Sequence, residues 1–439
     1  MPYFLARLEG SSFQSAFPSY LSSIFNLAGF AALSYATATA KQANTSKRIR
    51  PSLTVLIASL LTLTVSPFTS WSPGTFFAFV LLNATIQASF GAYFQAALVR
   101  LASLFGPYAI QAFFAGQAAV GVAVSAVQFI AAALAGERRS SNDGKSPSNV
   151  PTSLDDEKDR MLREASTSAF WFFSLSTAFL VFTYGTYLWL TKLPIYHEVV
   201  HPHLAPSTAV EENEEAEIEE AEEEERSDDE GAHRMSTSMT ESGHLLAVHV
   251  ESQVRDADVS ILGVAKLNMF YNLAVGYVFI VTLAIFPPIT ASIRSTNPVP
   301  PFDSGRISIF SPILFTSLHF LVFNIGDYVG RAICSNPRIH ISSGRRLLTL
   351  SALRTIFIPL FLACNVQRPS ATPSVTSPPL INSDFLFFLI LLVFGISNGF
   401  VGTMCMIAAS SPSHNSRLKK EQVEIAATLA QFSLVGGLA

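Results

Sequence analysis

Ten runs of apolar residues bounded by charged or turn-forming positions dominate the chain, at 18–40, 53–73, 75–99, 107–135, 166–191, 267–293, 307–331, 347–367, 385–410 and 423–439. All but the last, which stops with the chain at Ala439, are long enough to cross a hydrocarbon core of about 30 Å as a helix. In lipid each backbone amide must be paired within its own segment. That requirement selects helices, and the runs far exceed the ~10-residue strands of a membrane barrel. Of 439 residues, 49% are hydrophobic and 14% charged, against about 25% charged in a soluble domain. The expected fold is therefore all-α: an integral, multi-pass membrane protein of about ten transmembrane helices in a lipid bilayer. Soluble enzymes, secreted disulfide scaffolds and nucleic-acid binders fit poorly. Cys334, Cys364 and Cys405 lie in or beside apolar stretches, without metal-site spacing, and read as small packing residues.

Charge is distributed unevenly. Residues 211–230 hold fourteen acids and one arginine, a net −13, so the remainder of a chain whose total is −4 carries +9. The positive residues fall in alternate connections: Lys41, Lys47, Arg48 and Arg50; Arg100; Arg338, Arg345 and Arg346; Arg417, Lys419 and Lys420. The positive-inside rule makes these cytoplasmic. The intervening connections are sparse in positive charge, with Arg294, Arg306 and Arg368. Residues 136–165 depart from the pattern, with six basic residues among seven acids on the outside. Alternation places the amino terminus outside without a signal peptide, which leads to the expectation that a preceding helix is missing. The acidic run should stay disordered, because it has little apolar surface to bury. It divides the chain into an N-terminal five-span bundle (1–191), an acidic cytoplasmic loop (192–266) and a C-terminal five-span bundle (267–439). The loop reads mainly as a solvated spacer. It also offers a surface for a basic partner and the serines Ser227, Ser236 and Ser238 for phosphorylation.

Charges within the spans are costly, at roughly 2.5–3.5 kcal/mol each on insertion scales, and face the bundle interior or an aqueous path. Asp327 and Arg331 stand four apart on one face of the seventh run, and Arg354 lies in the eighth. One reading is an internal ion pair with Arg354 as a second cation sharing the acid; the other is a polar cavity that binds a hydrogen-bonding solute. The two are compatible. Gln87 and Gln95 in the third run, and Gln111 and Gln117 in the fourth, offer donors and acceptors suited to a nucleobase or amino-acid edge, and equally to interhelical hydrogen bonds. For Gln95 binding and packing stand open. Gly116, Ala119 and Gly121 read as close-packing positions. The Phe286-Pro287-Pro288 step should end or bend the sixth helix.

The chain has no GxxxxGK[ST] pattern; HEVVH (His197 to His201) and GISNG (Gly395 to Gly399) match HExxH and GxSxG in spacing, the first beside the loop that holds His201 and His203, the second inside an apolar run rather than at a strand-to-helix elbow. His201 and His203 lie in a loop, and His319 is alone within the spans. No cofactor is called for, and transport rather than enzymatic catalysis is the natural mechanism.

Taken in order, several segments resemble those of the equilibrative nucleoside transporter family. FNIGDYVGR (Phe323 to Arg331) resembles the family's eighth-helix pattern and is the most specific match. SFGAYFQ (Ser89 to Gln95), GQAAVG (Gly116 to Gly121), FPPIT (Phe286 to Thr290), Arg354 with Pro359 and Cys364-Asn365, and SNGF (Ser397 to Phe400) resemble the fourth, fifth, seventh, ninth and tenth helices. The resemblance implies eleven helices in a six-plus-five, two-bundle arrangement like that of the major facilitators. It also implies facilitative nucleoside transport by alternating access around a midplane polar site. By the same resemblance Gln95 addresses the nucleobase, Asp327 and Arg331 the ribose, and Gly91 and Asn324 shape the cavity. The family's first helix has no counterpart, the last helix stops at GGLA, and Ala118 replaces a family glycine, so the expectation is a member incomplete at both ends. Two alternatives remain beside it: a non-transporting truncated paralogue that recruits partners through the acidic loop, and a same-fold transporter of an organic cation paired with Asp327. The sequence does not distinguish the plasma membrane from an internal one, vacuolar or lysosomal, and leaves nucleoside preference and proton coupling open.

Overall fold

A computed structural model of the chain describes residues 2–40, 45–142, 154–200, 260–297, 310–366 and 379–438. The acidic run 211–230, Ser227, Ser236, Ser238, His201, His203, Lys41, Arg306 and Arg368 lie outside the described residues. The helices are α1 (Pro2–Arg7), α2 (Phe17–Ala38), α3 (Thr45–Val65), α4 (Pro73–Leu104), α5 (Pro107–Asn142), α6 (Leu154–Leu190), α7 (Pro194–Val200), α8 (Ile261–Leu267), α9 (Met269–Ile285), α10 (Pro312–Ile333), α11 (Gly344–Leu353), α12 (Phe357–Leu362), α13 (Asp384–Ser410) and α14 (Val423–Leu438). No strand forms among the described residues; Ile293 and Val366 make an isolated bridge. The chain divides into two compact units, Met1–Tyr184 with Ala265–Ala439, and Gly185–Val264. In the second unit Pro194 opens α7, a first-turn position where its missing N–H costs nothing.

Among the described residues, eight helices are long and apolar enough to cross a membrane. They correspond to the first seven runs and the ninth. The eighth run is helical but interrupted: α11 passes through a 3₁₀ turn at Arg354–Ile356 into α12. Pro359 explains the break, since its ring crowds the carbonyl four residues back, at Thr355, and it has no N–H to donate there. The tenth run forms α14, of 16 residues. The charged stretch 136–165 is not simply a loop, because α5 continues to Asn142 and α6 begins at Leu154. A charge ends an apolar run but not a helix, as Arg, Lys and Glu are good helix formers. The Phe286-Pro287-Pro288 step does end a helix: α9 stops at Ile285, and Phe286 is extended. The stretch before α2 is not a bare tail, because α1 buries Tyr3 and Leu8 against Phe17, Phe76 and Phe173. Arg7 donates to the Thr69 carbonyl at 2.7 Å.

Hydrogen bonds gather the helix ends into two sets. At one end Arg100 is paired with Glu424 and donates to the Ala40 carbonyl at 2.6 Å. There too, Asn268 donates to the Ala409 carbonyl and accepts from Asn415, both at 2.7 Å. His340 Nε2–H donates to the Cys334 carbonyl at 2.7 Å, which leaves the neutral ring's Nδ1 to accept from His414 Nε2–H at 2.8 Å. This is the end that carries the described basic connections. At the other end Asp384, in the first turn of α13, accepts from the Thr296 amide at 2.9 Å and from Asn297 at 2.8 Å. Asn365 there donates to the Arg294 carbonyl at 3.2 Å.

The tightest helix contact is between α10 and α13. Gly326 and Gly330 on α10 face Gly395 and Gly399 on α13, each pair spaced as GxxxG. A Cβ on Gly326 would stand 2.6 Å from the Leu392 carbonyl oxygen, and one on Gly395 2.6 Å from that of Phe323. Gly330 and Gly399 are tighter still, against the carbonyls of Ile396 and Asp327. Small residues let helices approach closely in lipid, where dispersion and polar contacts, rather than water exclusion, drive association. Of the three small residues expected to pack on α5, Gly121 does so, where a Cβ would stand 2.7 Å from Asn324 Oδ1; a Cβ on Gly116 would meet nothing within 4 Å beyond its own helix, and Ala119 is exposed. The three cysteines are free and buried, as packing residues would be.

Gly399→Ala should destabilise the purified protein by about 1–3 kcal/mol through overpacking. Gly116→Ala, in open space, should be neutral or stabilising by up to about 1 kcal/mol. Paired thermal melts in detergent check both. Burial, and then the neighbouring His340, hold the His414 imidazole below its usual value of 6.5. The folded state therefore disfavours the added proton, so this contribution to stability should be complete above about pH 6.5 and decline as the pH falls. Melting temperatures of wild type and His414→Gln between pH 8 and 5 should converge on the acid side.

Candidate functional site

The GxxxG contact brings together polar side chains that no helix could leave alone in lipid. Asp327, between Gly326 and Gly330, accepts from Arg331 Nε at 2.9 Å on one carboxylate oxygen and from Asn398 Nδ2 at 2.7 Å on the other. Asn398 Oδ1 accepts from Thr282 Oγ1 at 2.7 Å and from Arg354 Nη2 at 3.3 Å. Arg354, 2% exposed, also donates to Thr282 Oγ1 at 2.8 Å, the Phe394 carbonyl at 3.2 Å and Ser397 Oγ, and stacks over the Phe394 ring at 4.7 Å. Arg331 Nη1 reaches the Phe114 carbonyl of α5 at 3.2 Å, and Gln111 of α5 donates to the Arg331 carbonyl at 3.0 Å. The network thus joins α5, α9, α10, α13 and the 3₁₀ turn between α11 and α12. Asp327 and Arg331 form the expected ion pair. Arg354 does not share the acid directly, because Asn398 stands between them. Arg354 instead donates through both terminal nitrogens to uncharged oxygens and lies over an aromatic face, an arrangement suited to a delocalised guanidinium, while its buried Nε has no hydrogen-bond partner.

The other candidates lie elsewhere. Gln95 and Gly91 line a cavity of about 360 Å³ between α2, α4 and α14. On α4 the lining residues Gln87, Gly91 and Gln95 recur every fourth position, one helical stripe. A Cβ at Gly91 would meet nothing within 4 Å, so the glycine widens the cavity. Gln87 donates to Asn83 Oδ1 at 2.7 Å, and Asn83 is held by Ser59 and Thr62 of α3. Gln95 makes no side-chain hydrogen bond with any described residue. Asn324 lies against Gly121 and donates to the Phe320 carbonyl at 2.9 Å. Neither Asn324 nor the Asp327–Arg331 pair belongs to the cavity wall that bears Gln95. Gln117 is exposed. His319 is buried; its Nδ1–H donates to the Thr316 carbonyl at 3.1 Å, and its Nε2 accepts from Thr290 Oγ1 at 2.8 Å. Among the described residues no group of His, Cys, Asp and Glu could hold a metal ion.

Sequence reasoning missed Asn398 of the network, although it lies within SNGF, and missed Thr282 of the network and Gln431 of the cavity wall. The two GxxxG spacings that flank Asp327 and Asn398 were the signal available for the first. An isolated glutamine in the last run, Gln431, was the signal for the third.

A bundle of apolar helices with an internal ionic network and a separate amide-lined cavity defines a polytopic membrane protein of transporter type. A family model described as "Nucleoside transporter" matches residues 150–439, and the chain belongs to that family. It is 31% identical to equilibrative nucleoside transporter 1 of Rattus norvegicus over 183 residues, 41% of this chain and 36% of the relative. With equilibrative nucleoside transporter 2 of Homo sapiens it shares 34% over 162 residues, 37% of this chain and 31% of the relative. Equilibrative nucleoside transporter 1 of Mus musculus is 26% identical over 367 residues, 83% of this chain and 67% of the relative. The chain thus spans about a third of the rat and human relatives and two thirds of the mouse one.

Asp327→Ala should cost about 3–5 kcal/mol of stability, because it strands the buried Arg331 charge, whereas Asp327→Ala with Arg331→Met should recover most of the loss. Thermal melts of the three proteins in one detergent measure the difference.

Proposed function

We propose that this chain carries out facilitative transport of nucleosides by alternating access, with its N- and C-terminal five-span halves moving about the polar residues between them. The observation that carries the reading is the amide of Gln95, which lines a cavity of about 360 Å³ without a described protein partner. That volume falls in the range of small-molecule sites, about 300–1,000 Å³. A primary amide complements the adjacent donor and acceptor on a nucleobase edge. Family membership supplies the solute class, as the relatives are named for nucleosides.

In this reading Gln95 holds the base, Gly91 and Asn324 shape the path, and Asp327 with Arg331 addresses the ribose hydroxyls when the halves rearrange. The Arg100–Glu424 pair ties α4 to α14 at the basic end, and its rupture opens the cavity on that side. Positive-inside orientation makes that side cytoplasmic. Asp327 is already neutralised by Arg331, which makes it a poor counter-ion for an organic cation.

Uptake of labelled adenosine and uridine into nucleoside-transport-deficient cells expressing the 439-residue chain tests the proposal. Saturable uptake is expected, with Gln95→Ala raising KM roughly five- to tenfold, the equivalent of one or two lost hydrogen bonds. Absence of uptake, with surface labelling proving insertion, would count against it, as would Gln95→Ala uptake indistinguishable from wild type.

A further inference from the structure

On the wall of the cavity opposite Gln95, α14 presents Gln431, Val435 and Leu438, a stripe at helical spacing. Gln431 is 0% exposed, and neither its amide nitrogen nor its amide oxygen has a hydrogen-bond partner. Leaving both ends of a buried amide unmade incurs the desolvation of each group, and buried polar atoms are nearly always paired. Packing does not explain its presence. Phe432 meets Phe30 of α2 at a ring distance of 5.5 Å, and Val435 packs against the cluster of Leu33, Ala36 and Ala96. Those apolar neighbours already supply the contact of α14 with α2 and α4, and a leucine at 431 would serve the same face without orphaned atoms.

We propose that Gln431 is a second base-reading residue, whose amide donates to and accepts from the nucleobase edge in concert with Gln95. The inference rests on the nucleoside reading above and deepens it. Two amides on facing helices, α4 and α14, can each present one donor and one acceptor, so the cavity selects solutes with an adjacent donor–acceptor pair on a planar ring. The amide is self-complementary to either order of that pair, which accommodates the N6/N1 edge of adenine and the N3/O4 edge of uracil alike. The site therefore discriminates against bases whose edge is incomplete rather than between purine and pyrimidine.

The test uses the purified 439-residue chain, with binding read by thermal shift and transport by proteoliposome uptake. The probes are adenosine, purine riboside (which lacks the 6-amino donor), uridine and 3-methyluridine (which lacks the N3–H donor). Wild type should prefer each parent to its analogue by roughly five- to tenfold, the value of about one hydrogen bond or slightly more. Gln431→Leu should weaken adenosine and uridine by a similar factor and narrow both parent-to-analogue ratios. Its melting temperature without solute should be unchanged or higher, because an orphaned amide has been removed. Gln431→Met keeps the side-chain length without the amide and should behave the same way, which guards against a folding defect of the leucine variant. Gln431→Asn, which retains an amide, should preserve part of each ratio. Unchanged affinities and ratios in the Leu and Met variants, with wild type binding nucleosides, overturn the role of Gln431 alone. Absence of any nucleoside-dependent shift or uptake in wild type overturns the solute class and this inference with it.

Discussion

Backbone touching backbone between α10 and α13 is the contact on which the rest of the polar interior depends. With glycines at 326, 330, 395 and 399 the two helices approach until the carbonyls of one stand where the Cβ atoms of the other would be. At any ordinary separation Asn398 could not donate to Asp327, and the carboxylate would keep one oxygen unsatisfied in a medium without water. Small residues here do more than allow packing: they set the range at which a charge on one helix is solvated by an amide on the next.

The ionic network follows from that proximity. The network holds two arginines and one aspartate, so one positive charge has no acid of its own. The structure assigns the acid to Arg331 and surrounds Arg354 with two hydroxyls, one carbonyl, an amide oxygen and the Phe394 ring. Asn398 lies between the two halves of the arrangement, accepting from the Arg354 side and donating to the Asp327 side. An asparagine can do both because its amide has both kinds of atom, which neither aspartate nor serine in that place would supply in the same geometry.

Much of this was legible in the chain. Long apolar runs located the helices, alternating basic connections grouped their ends, and the i,i+4 spacing of Asp327 and Arg331 foretold their pairing. The failures have physical causes. Hydropathy marks where lipid ends rather than where a helix ends, so the continuation of α5 to Asn142 went unread. An interposed side chain from a distant helix, Asn398, cannot be deduced from the spacing of the residues it separates, and so Arg354 was expected to share the acid. Gln431 carries no local pattern at all; its meaning comes only from being buried without partners beside a cavity. Conversely, the glycine pairs were legible as spacing but acquire their consequence only once the two helices are known to cross there.

The short helix α14 touches both halves of the chain, but not in the same manner. Against α9 it packs through Gly437, held so close to the Gly276 carbonyl that no methyl group could intervene. Against α2 and α4 it relies on side chains: Phe432 on Phe30, Val435 on the Leu33 cluster, and the Glu424 ion pair with Arg100. Side-chain contacts can be exchanged for new ones by rotamer changes, whereas an interlocked backbone has no alternative register nearby. In the transport cycle proposed above, the slip plane would therefore run along the α4 side of α14, with the helix riding with α9 as one rigid piece and the wall of the amide-lined cavity as the moving surface.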